Sequence, residues 1–226
     1  MLVFLFFLLG FQTGAKLDAA KLPQTAATMR EFVPRGWTVE AEISGDLNRD
    51  SIPDLAIILV EPMPADADKE NPPERQRALL LLLKTPDGQF ARTGLGTKLL
   101  LCTRCGGAFY GIVETPTKVE IVNGVVIVTQ EYGSREVTQE TYRFRYEAES
   151  KRFLWIGVDL RSYDRMTGET QTESTNLLTG VKLTTKTKAN EKTGNDVTLS
   201  NKSQRVSRTK KYIEDVAAHD SGQEEK

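Results

Sequence analysis

The strongest constraint on the fold is a β-hairpin pattern in the middle of the chain. Residues 119–122 and 125–130 are rich in β-branched side chains and flank Asn123-Gly124. A type I′ turn requires positive φ at both central residues, which Asn-Gly tolerates well. Residues 140–146 then alternate polar with aromatic side chains, and residues 153–160 follow after a short turn. The pattern predicts a four-stranded antiparallel meander.

A second set of strand patterns lies nearer the N-terminus. Residues 37–43 alternate apolar with polar side chains, and residues 54–60 follow as an apolar run after an acidic loop. Residues 78–83 are apolar throughout, which is typical of a central strand covered on both faces, and residues 89–95 return antiparallel to it. We therefore predict an all-β domain of antiparallel meanders, arranged as a blade or a sandwich. A weak outer hairpin is expected within 181–208.

The segments that flank the strands set the expected domain boundaries. Residues 16–36 have loosely helical apolar spacing, which predicts one short helix over about 23–32. The β domain is expected over 37–212. Residues 213–226 are polar and predict a disordered tail.

Residues 1–15 read MLVFLFFLLGFQTGA and predict a secretory signal peptide. Their apolar run is shorter than the roughly 20 residues that a membrane span requires. Thr13 and Ala15 are small, so cleavage is expected after Ala15. Because no Lys or Arg precedes the run, an uncleaved anchor is the alternative. Both readings predict a secreted or periplasmic body, with no membrane span once the signal is cleaved.

The charge and histidine content restrict the possible partners and chemistry. The formal net charge is −1 and the pI is about 6.0, so no global field attracts nucleic acid. His219 is the single histidine, which argues against His-based triads and His-rich zinc sites.

The acidic loop over residues 46–54 carries the clearest chemical signal. Its oxygen-bearing side chains fall at relative positions 1, 3, 5 and 9, a spacing that suits a hard cation such as Ca²⁺. The alternative is a turn whose side chains only cap backbone N–H groups. The expected Ca²⁺ ligands are the side chains of Asp46, Asn48, Asp50 and Asp54 and the backbone carbonyl of Ile52.

The loop departs from a helix-loop-helix calcium site in two places. Such a site requires glycine at position 6 and glutamate at position 12, and here these positions hold Ser51 and Ile57. Strand residues, not a helix, follow the loop. We therefore predict a single inter-strand calcium loop.

Residues 45–56 resemble the FG-GAP and VCBS class of extracellular β-repeats, whose pattern is GD-x-N-x-D-G-x-x-D followed by apolar residues. Every acidic position matches, and Ser51 replaces the usual glycine. The resemblance implies a calcium-binding strand-loop-strand unit, and its single copy does not support a full propeller. The chain also resembles secreted bacterial proteins that carry one such loop, which implies an envelope or extracellular β-protein. That second likeness depends on residues 34–37, 105–107, 142–146 and 176–180.

Cys102 and Cys105 have the spacing of a redox motif, but their surroundings indicate strands and not the helix that such a motif needs. A zinc half-site would require two further ligands of the same kind. In an oxidising compartment we expect a local disulfide that pins a loop.

The sequence therefore predicts a secreted or periplasmic, calcium-binding β module that is structural or binds a ligand, without catalysis. The expected partner is a protein or polysaccharide of the cell envelope. One alternative is a small hydrolase of envelope polymers that uses paired carboxylates. Another is a thiol-dependent envelope factor that uses Cys102 and Cys105.

Overall fold

The computed structural model describes residues 17–68, 70–111, 113–190 and 195–221. The expected signal peptide lies outside this part of the chain. The described residues form two antiparallel sheets of five and seven strands, which confirms the predicted all-β class. Within these ranges, no helix has the length and apolar character needed to cross a membrane.

Five strands form the first sheet, and at one edge the first strand of the chain lies next to the fifth. They are β1 (Thr25–Ala26), β2 (Thr38–Gly45), β3 (Asp54–Val60), β4 (Arg77–Lys84) and β5 (Phe90–Gly96). The order is β1-β5-β4-β3-β2, so the two apolar runs β3 and β4 lie away from both edges.

Seven strands form the second sheet as one continuous meander. They are β6 (Thr117–Val122), β7 (Val125–Gly133), β8 (Glu136–Glu147), β9 (Arg152–Asp164), β10 (Glu169–Asn176), β11 (Val181–Ala189) and β12 (Asp196–Arg205). Asn123 and Gly124 join β6 to β7 with φ of 52° and 73°. These positive values confirm the predicted hairpin turn.

The two sheets pack face to face and enclose the main core. Inward side chains of β3 and β4 meet those of β7, β8 and β9, because alternate residues of a strand point to one face. Each fully buried side chain of this kind contributes about 1.5–3 kcal/mol. The aromatic members of the core are Tyr142, Phe144, Phe153 and Trp155.

The other face of the first sheet is covered by the N-terminal segment. Leu22, Ala26 and Phe32 pack on the outward side chains of β3 and β4, including Ile57 and Leu80. Both faces of β4 are therefore buried, as its continuous apolar run predicted.

The predicted helix over 23–32 is wrong. The segment contains two separate 3₁₀ turns, Ala19–Lys21 and Met29–Phe32, with strand β1 between them. Thr25 and Ala26 pair with Ala91 and Phe90 of β5. The segment is held in this form by its pairing with the free edge of β5 and by the burial of Leu22, Ala26 and Phe32 on the first sheet.

The C-terminal residues also differ from the prediction of a disordered tail from 213. Residues Ile213–Asp215 form a 3₁₀ turn, and Ile213 and Val216 are fully buried in the main core. The Lys211 carbonyl oxygen accepts a hydrogen bond of 3.0 Å from the backbone N–H group of Trp155. The chain is thus ordered to at least residue 221, and the β1 pairing and this segment extend the domain beyond 37–212.

The expected outer hairpin is present as β11 and β12, and β10 pairs with β11 over its full length. Strands β10 to β12 extend the second sheet beyond the main core. The side chains of β12 are almost all exposed.

Candidate metal centre

The acidic loop connects β2 to β3 at one end of the first sheet. Gly45 pairs with Asp54, so the two strands meet directly at the base of the loop. A Cβ atom on Gly45 would lie 2.8 Å from Cγ2 of Ile121 on β6. This close approach requires glycine and sets the loop against the second sheet.

Asp46 accepts hydrogen bonds from three backbone N–H groups of its own loop. Its Oδ1 lies 2.6 Å from the Arg49 nitrogen and 3.1 Å from the Asp50 nitrogen, and its Oδ2 lies 2.9 Å from the Ser51 nitrogen. These three hydrogen bonds hold residues 46–51 in a tight turn around the Asp46 carboxylate. This is the local hydrogen bonding that Asp readily supplies in a turn.

Asn48 and Asp50 continue the same pattern towards the second half of the loop. The Asp50 N–H group donates to Oδ1 of Asn48 at 3.0 Å, and the Ile52 N–H group donates to Oδ1 of Asp50 at 2.8 Å. The Asn48 amide nitrogen donates to Oδ2 of Asp50 at 2.8 Å. Because a carboxylate oxygen accepts two hydrogen bonds, each oxygen of Asp50 retains one free lone-pair direction.

Arg49 and Ser51 adopt left-handed conformations, with φ of 67° and 68°. Ser51 stands where the resembled pattern has glycine. It takes the glycine-like conformation despite its Cβ atom, at a cost of about 1 kcal/mol. The substitution therefore leaves the turn of the loop intact.

Asp54 closes the loop from inside the protein. It is fully buried, and its two oxygens accept hydrogen bonds from the Leu47 and Lys84 nitrogens, both at 2.8 Å. Burial raises the pKa of Asp54 above its ordinary value, the two N–H donors oppose this rise, and the negative charges of Asp50 and Asp46 add to it. The charges of Asp46 and Asp50 are therefore close enough to act on the buried Asp54.

Two loop residues fasten the turn to the rest of the molecule. Leu47 is buried in the main core between the sheets. The Arg49 guanidinium donates to the Asn123 carbonyl oxygen through Nε at 3.2 Å and Nη2 at 2.8 Å. The acidic loop is therefore tied to the β6–β7 turn of the opposite sheet.

The structure thus brings Asp46, Asn48 and Asp50 into one hydrogen-bonded turn, whereas Asp54 lies buried beside it and bonds the Leu47 and Lys84 nitrogens. The oxygens of the three turn residues face backbone N–H groups of the loop, which is also what the capping alternative requires, and the carboxylates of Asp46, Asp50 and Asp54 do not all lie within 4.8 Å of one another. The described residues contain one group of three acidic, thiol or imidazole ligand atoms that all lie within 4.8 Å of one another, and it is Glu74, Cys102 and Cys105. The donor chemistry of the loop, which is all oxygen and carries three carboxylates, fits Ca²⁺.

The two cysteines form the expected local disulfide. Cys102 and Cys105 are bonded to each other, with Cα atoms 5.1 Å apart. The bond fixes the start of a loop that leads to β6. No helix of the described chain begins at Cys102, so the dipole that activates a redox cysteine is missing there.

One buried polar cluster was not anticipated from the sequence. Glu140 is fully buried on β8 and accepts hydrogen bonds from the hydroxyls of Tyr132 and Tyr142, both at 3.0 Å. His219 approaches its Oε1 through Nδ1 at 3.0 Å, and Gln130 reaches its Oε2 at 3.3 Å. The sequence feature that could have revealed this cluster is the glutamate at an inward-facing position of the alternating run 140–146. The cluster holds the C-terminal segment against the second sheet.

Burial raises the pKa of Tyr132 and of Tyr142, and the charge of Glu140 adds to both shifts. Both phenols therefore stay protonated and act as hydrogen-bond donors. A carboxylate so fully occupied by donors is well compensated for its burial.

Comparison with protein-family models, with curated proteins and with solved structures gave no match. The resemblance to FG-GAP and VCBS repeats thus depends on the loop residues alone.

Proposed function

We propose that this protein is an extracytoplasmic binding module without catalytic activity, whose 46–54 loop takes up one Ca²⁺ ion. The observation that carries the proposal is that one short loop holds Asp46 and Asp50 next to the buried Asp54, with oxygen ligands at alternating positions. Burial raises the pKa of Asp54, and the negative charges of Asp50 and Asp46 add a smaller rise. A divalent cation would remove this repulsion, and hard oxygen ligands are those that Ca²⁺ prefers.

The hydrogen bonds within the loop leave several carboxylate oxygens with acceptor capacity for such an ion. Each Asp50 oxygen accepts a single hydrogen bond, and so does Oδ2 of Asp46. Their remaining lone pairs are available to a cation. In this proposal Asp46, Asn48, Asp50, Asp54 and the Ile52 carbonyl hold Ca²⁺, as the spacing of the sequence predicts.

The role of the ion would be to stiffen a connection between the two sheets. Leu47 anchors the loop in the core, and Arg49 joins it to Asn123 of the second sheet. Ordering the loop would therefore brace one end of the sandwich. Binding to the native state alone adds about 2.7 kcal/mol of stability at 100 times Kd.

The extracytoplasmic location is supported by the sequence of residues 1–15 and by the disulfide. A bond between Cys102 and Cys105 persists in an oxidising compartment and is rare in the cytosol.

Binding is favoured over the hydrolase alternative because two acids of the second sheet, Glu140 and Asp164, are unsuited to donate a proton to a substrate. Glu140 is enclosed by donors. Asp164 lines a cavity of about 140 Å³ with Glu136 and Glu169. The ion pair with Arg135 lowers the pKa of Asp164 to about 2, which prevents it from donating a proton near neutral pH.

Thermal unfolding with and without calcium tests the proposal. After treatment with EDTA, added Ca²⁺ should raise the melting temperature of the wild type and leave Asp50→Ala unchanged. Asp66→Ala is the matched control, since Asp66 is an exposed loop aspartate away from the site. It should respond to Ca²⁺ as the wild type does. An equal response of all three proteins, or no response of the wild type, would overturn the calcium assignment.

A further inference from the structure

A shallow groove crosses the face of the second sheet that points away from the first. It consists of two cavities of about 240 and 270 Å³, which both contact Glu131 on β7 and Gln139 on β8. Gln139 pairs with Glu131 on one side and with Arg161 on the other, so the groove runs across β7, β8 and β9. Its shape is open and elongated, which suits an extended chain and not a compact small molecule.

The loop that begins at the disulfide forms one wall of this groove. The Phe109 N–H group donates to the Gly133 carbonyl oxygen at 2.9 Å, and the Gly133 N–H group donates to the Gly106 carbonyl oxygen at 2.9 Å. A Cβ atom on Gly107 would lie 2.7 Å from the Gly133 oxygen. The glycines therefore allow the loop to lie directly on the end of β7, where it presents Phe109 to the groove.

Two aromatic rings remain in contact with solvent at this end of the groove. Phe109 is 41% exposed and Tyr163 is 38% exposed, and both line the cavity of about 240 Å³ together with Arg161. The aromatic rings of β8 and β9 nearer the core are buried instead. Exposed aromatic residues grouped with arginine are typical of binding surfaces.

The charged groups at the same end are predominantly cationic. The Arg165 guanidinium lies 4.6 Å from the centroid of the Phe109 ring, and neither it nor Arg161 forms an ion pair with any residue that the structure describes. The Glu131 carboxylate is already occupied by the Tyr110 hydroxyl and by the Gln139 amide, which donates at 3.3 Å. Two guanidinium groups are therefore available to an anionic ligand.

We propose that this groove binds an acidic oligosaccharide, with sugar rings on Phe109 and Tyr163 and carboxylates at Arg161 and Arg165. The flat C–H face of a pyranose packs on an exposed aromatic ring, while guanidinium groups pair with carboxylates in a planar, bidentate manner. The amide of Gln139 lies along the groove and suits sugar hydroxyls. The inference specifies the ligand of the proposed binding role and rests on that role, but it does not depend on the calcium loop.

Calorimetric titration with a galacturonic acid hexamer, carried out in EDTA, tests this inference. The hexamer should bind the wild type, and binding should weaken as salt rises because exposed charges are screened. The carboxyl-reduced hexamer should bind at least about fivefold more weakly, the scale of an exposed charge contact. A hexaglutamate peptide should not compete, since it has carboxylates without sugar rings.

Three variants locate the binding to the groove. Arg161→Gln and Phe109→Ala should each weaken hexamer binding about fivefold, since each removes one exposed contact. Arg145→Gln is the matched control, because Arg145 is an exposed arginine of β8 outside the groove. It should bind as the wild type does, and unchanged melting temperatures would show that all three are folded.

Absence of hexamer binding, equal binding of the reduced hexamer or of hexaglutamate, or equal weakening by Arg145→Gln would each overturn the oligosaccharide assignment. Because EDTA removes calcium, these outcomes are separate from the melting response to Ca²⁺. If the melting temperature did not respond to Ca²⁺ but the hexamer still bound, the calcium assignment would be rejected and the oligosaccharide assignment would be kept.

Discussion

Replacement of Asp54 separates the intrinsic role of this carboxylate from any role of an ion. In Asp54→Ala, the Leu47 and Lys84 N–H groups lose acceptors that now lie 2.8 Å away. An unsatisfied buried donor costs about 1–3 kcal/mol. Burial already disfavours the charged form of Asp54, as its raised pKa indicates, so the loss lies in the lower half of the summed range. We expect a decrease of about 3 kcal/mol in the free energy of unfolding.

Urea unfolding in EDTA measures this quantity without a contribution from calcium. For a chain of this size, a loss of about 3 kcal/mol corresponds to a melting temperature lower by about 6–12 °C. Asp54→Asn keeps one acceptor oxygen and should lose about half as much. The control Asp66→Ala removes an exposed carboxylate and should change stability by less than about 0.5 kcal/mol.

The reasoning would be refuted if Asp54→Ala unfolded within about 0.5 kcal/mol of the wild type in EDTA. That result would mean that the Leu47 and Lys84 N–H groups find other partners. A large loss seen only in calcium would instead assign the whole effect to the ion.

Two further predictions concern regions distant from the loop. Ile213→Ala should lower the free energy of unfolding by about 3 kcal/mol, because it empties a fully enclosed site in the core, whereas Val197→Ala on exposed β12 should have little effect. Urea unfolding of both checks this, and equal effects would contradict the assigned burial. The pKa of Asp164 is lowered from 3.8 to about 2 by Arg135, so its stabilisation is present above pH 4 and is lost as pH falls towards 2. Asp164→Asn should therefore be less stable than the wild type at pH 7, and the difference should be much smaller at pH 2, where Asp164 of the folded wild type is about half protonated. A constant difference between these pH values would exclude the pairing.

The parts of the fold that were predicted correctly have local causes. Asn123-Gly124 specifies its turn through the φ values that these two residues tolerate. The apolar run 78–83 has the composition of a strand that is buried on both faces, and the structure buries it there. The Cys102–Cys105 bond joins residues only three positions apart.

The parts that were missed depend on contacts distant in sequence. Strand β1 is two residues long and exists because β5 offers an edge to pair with. Strand β10 was not recognised because Thr, Ser, Gln and Glu occupy both of its faces, so no apolar alternation marks it. The C-terminal segment enters the core through Ile213 and Val216 alone, within an otherwise polar sequence.

The candidate site also combines local features that the sequence predicted with long-range contacts that it did not. The spacing of the loop residues predicted the shared turn of Asp46, Asn48 and Asp50. It contained no information on the link from Arg49 to Asn123, because the two residues are 74 positions apart. The same limit applies to Glu140 and His219, which are 79 positions apart.

The most direct test of the calcium loop is equilibrium dialysis of the purified protein against Ca²⁺. The wild type should bind one ion per chain, and the double variant Asp46→Asn with Asp50→Asn should bind none, while Asp66→Ala should keep the full stoichiometry. A wild type that binds no calcium, or a double variant that binds as the wild type does, would contradict the assignment of the 46–54 loop as a calcium site.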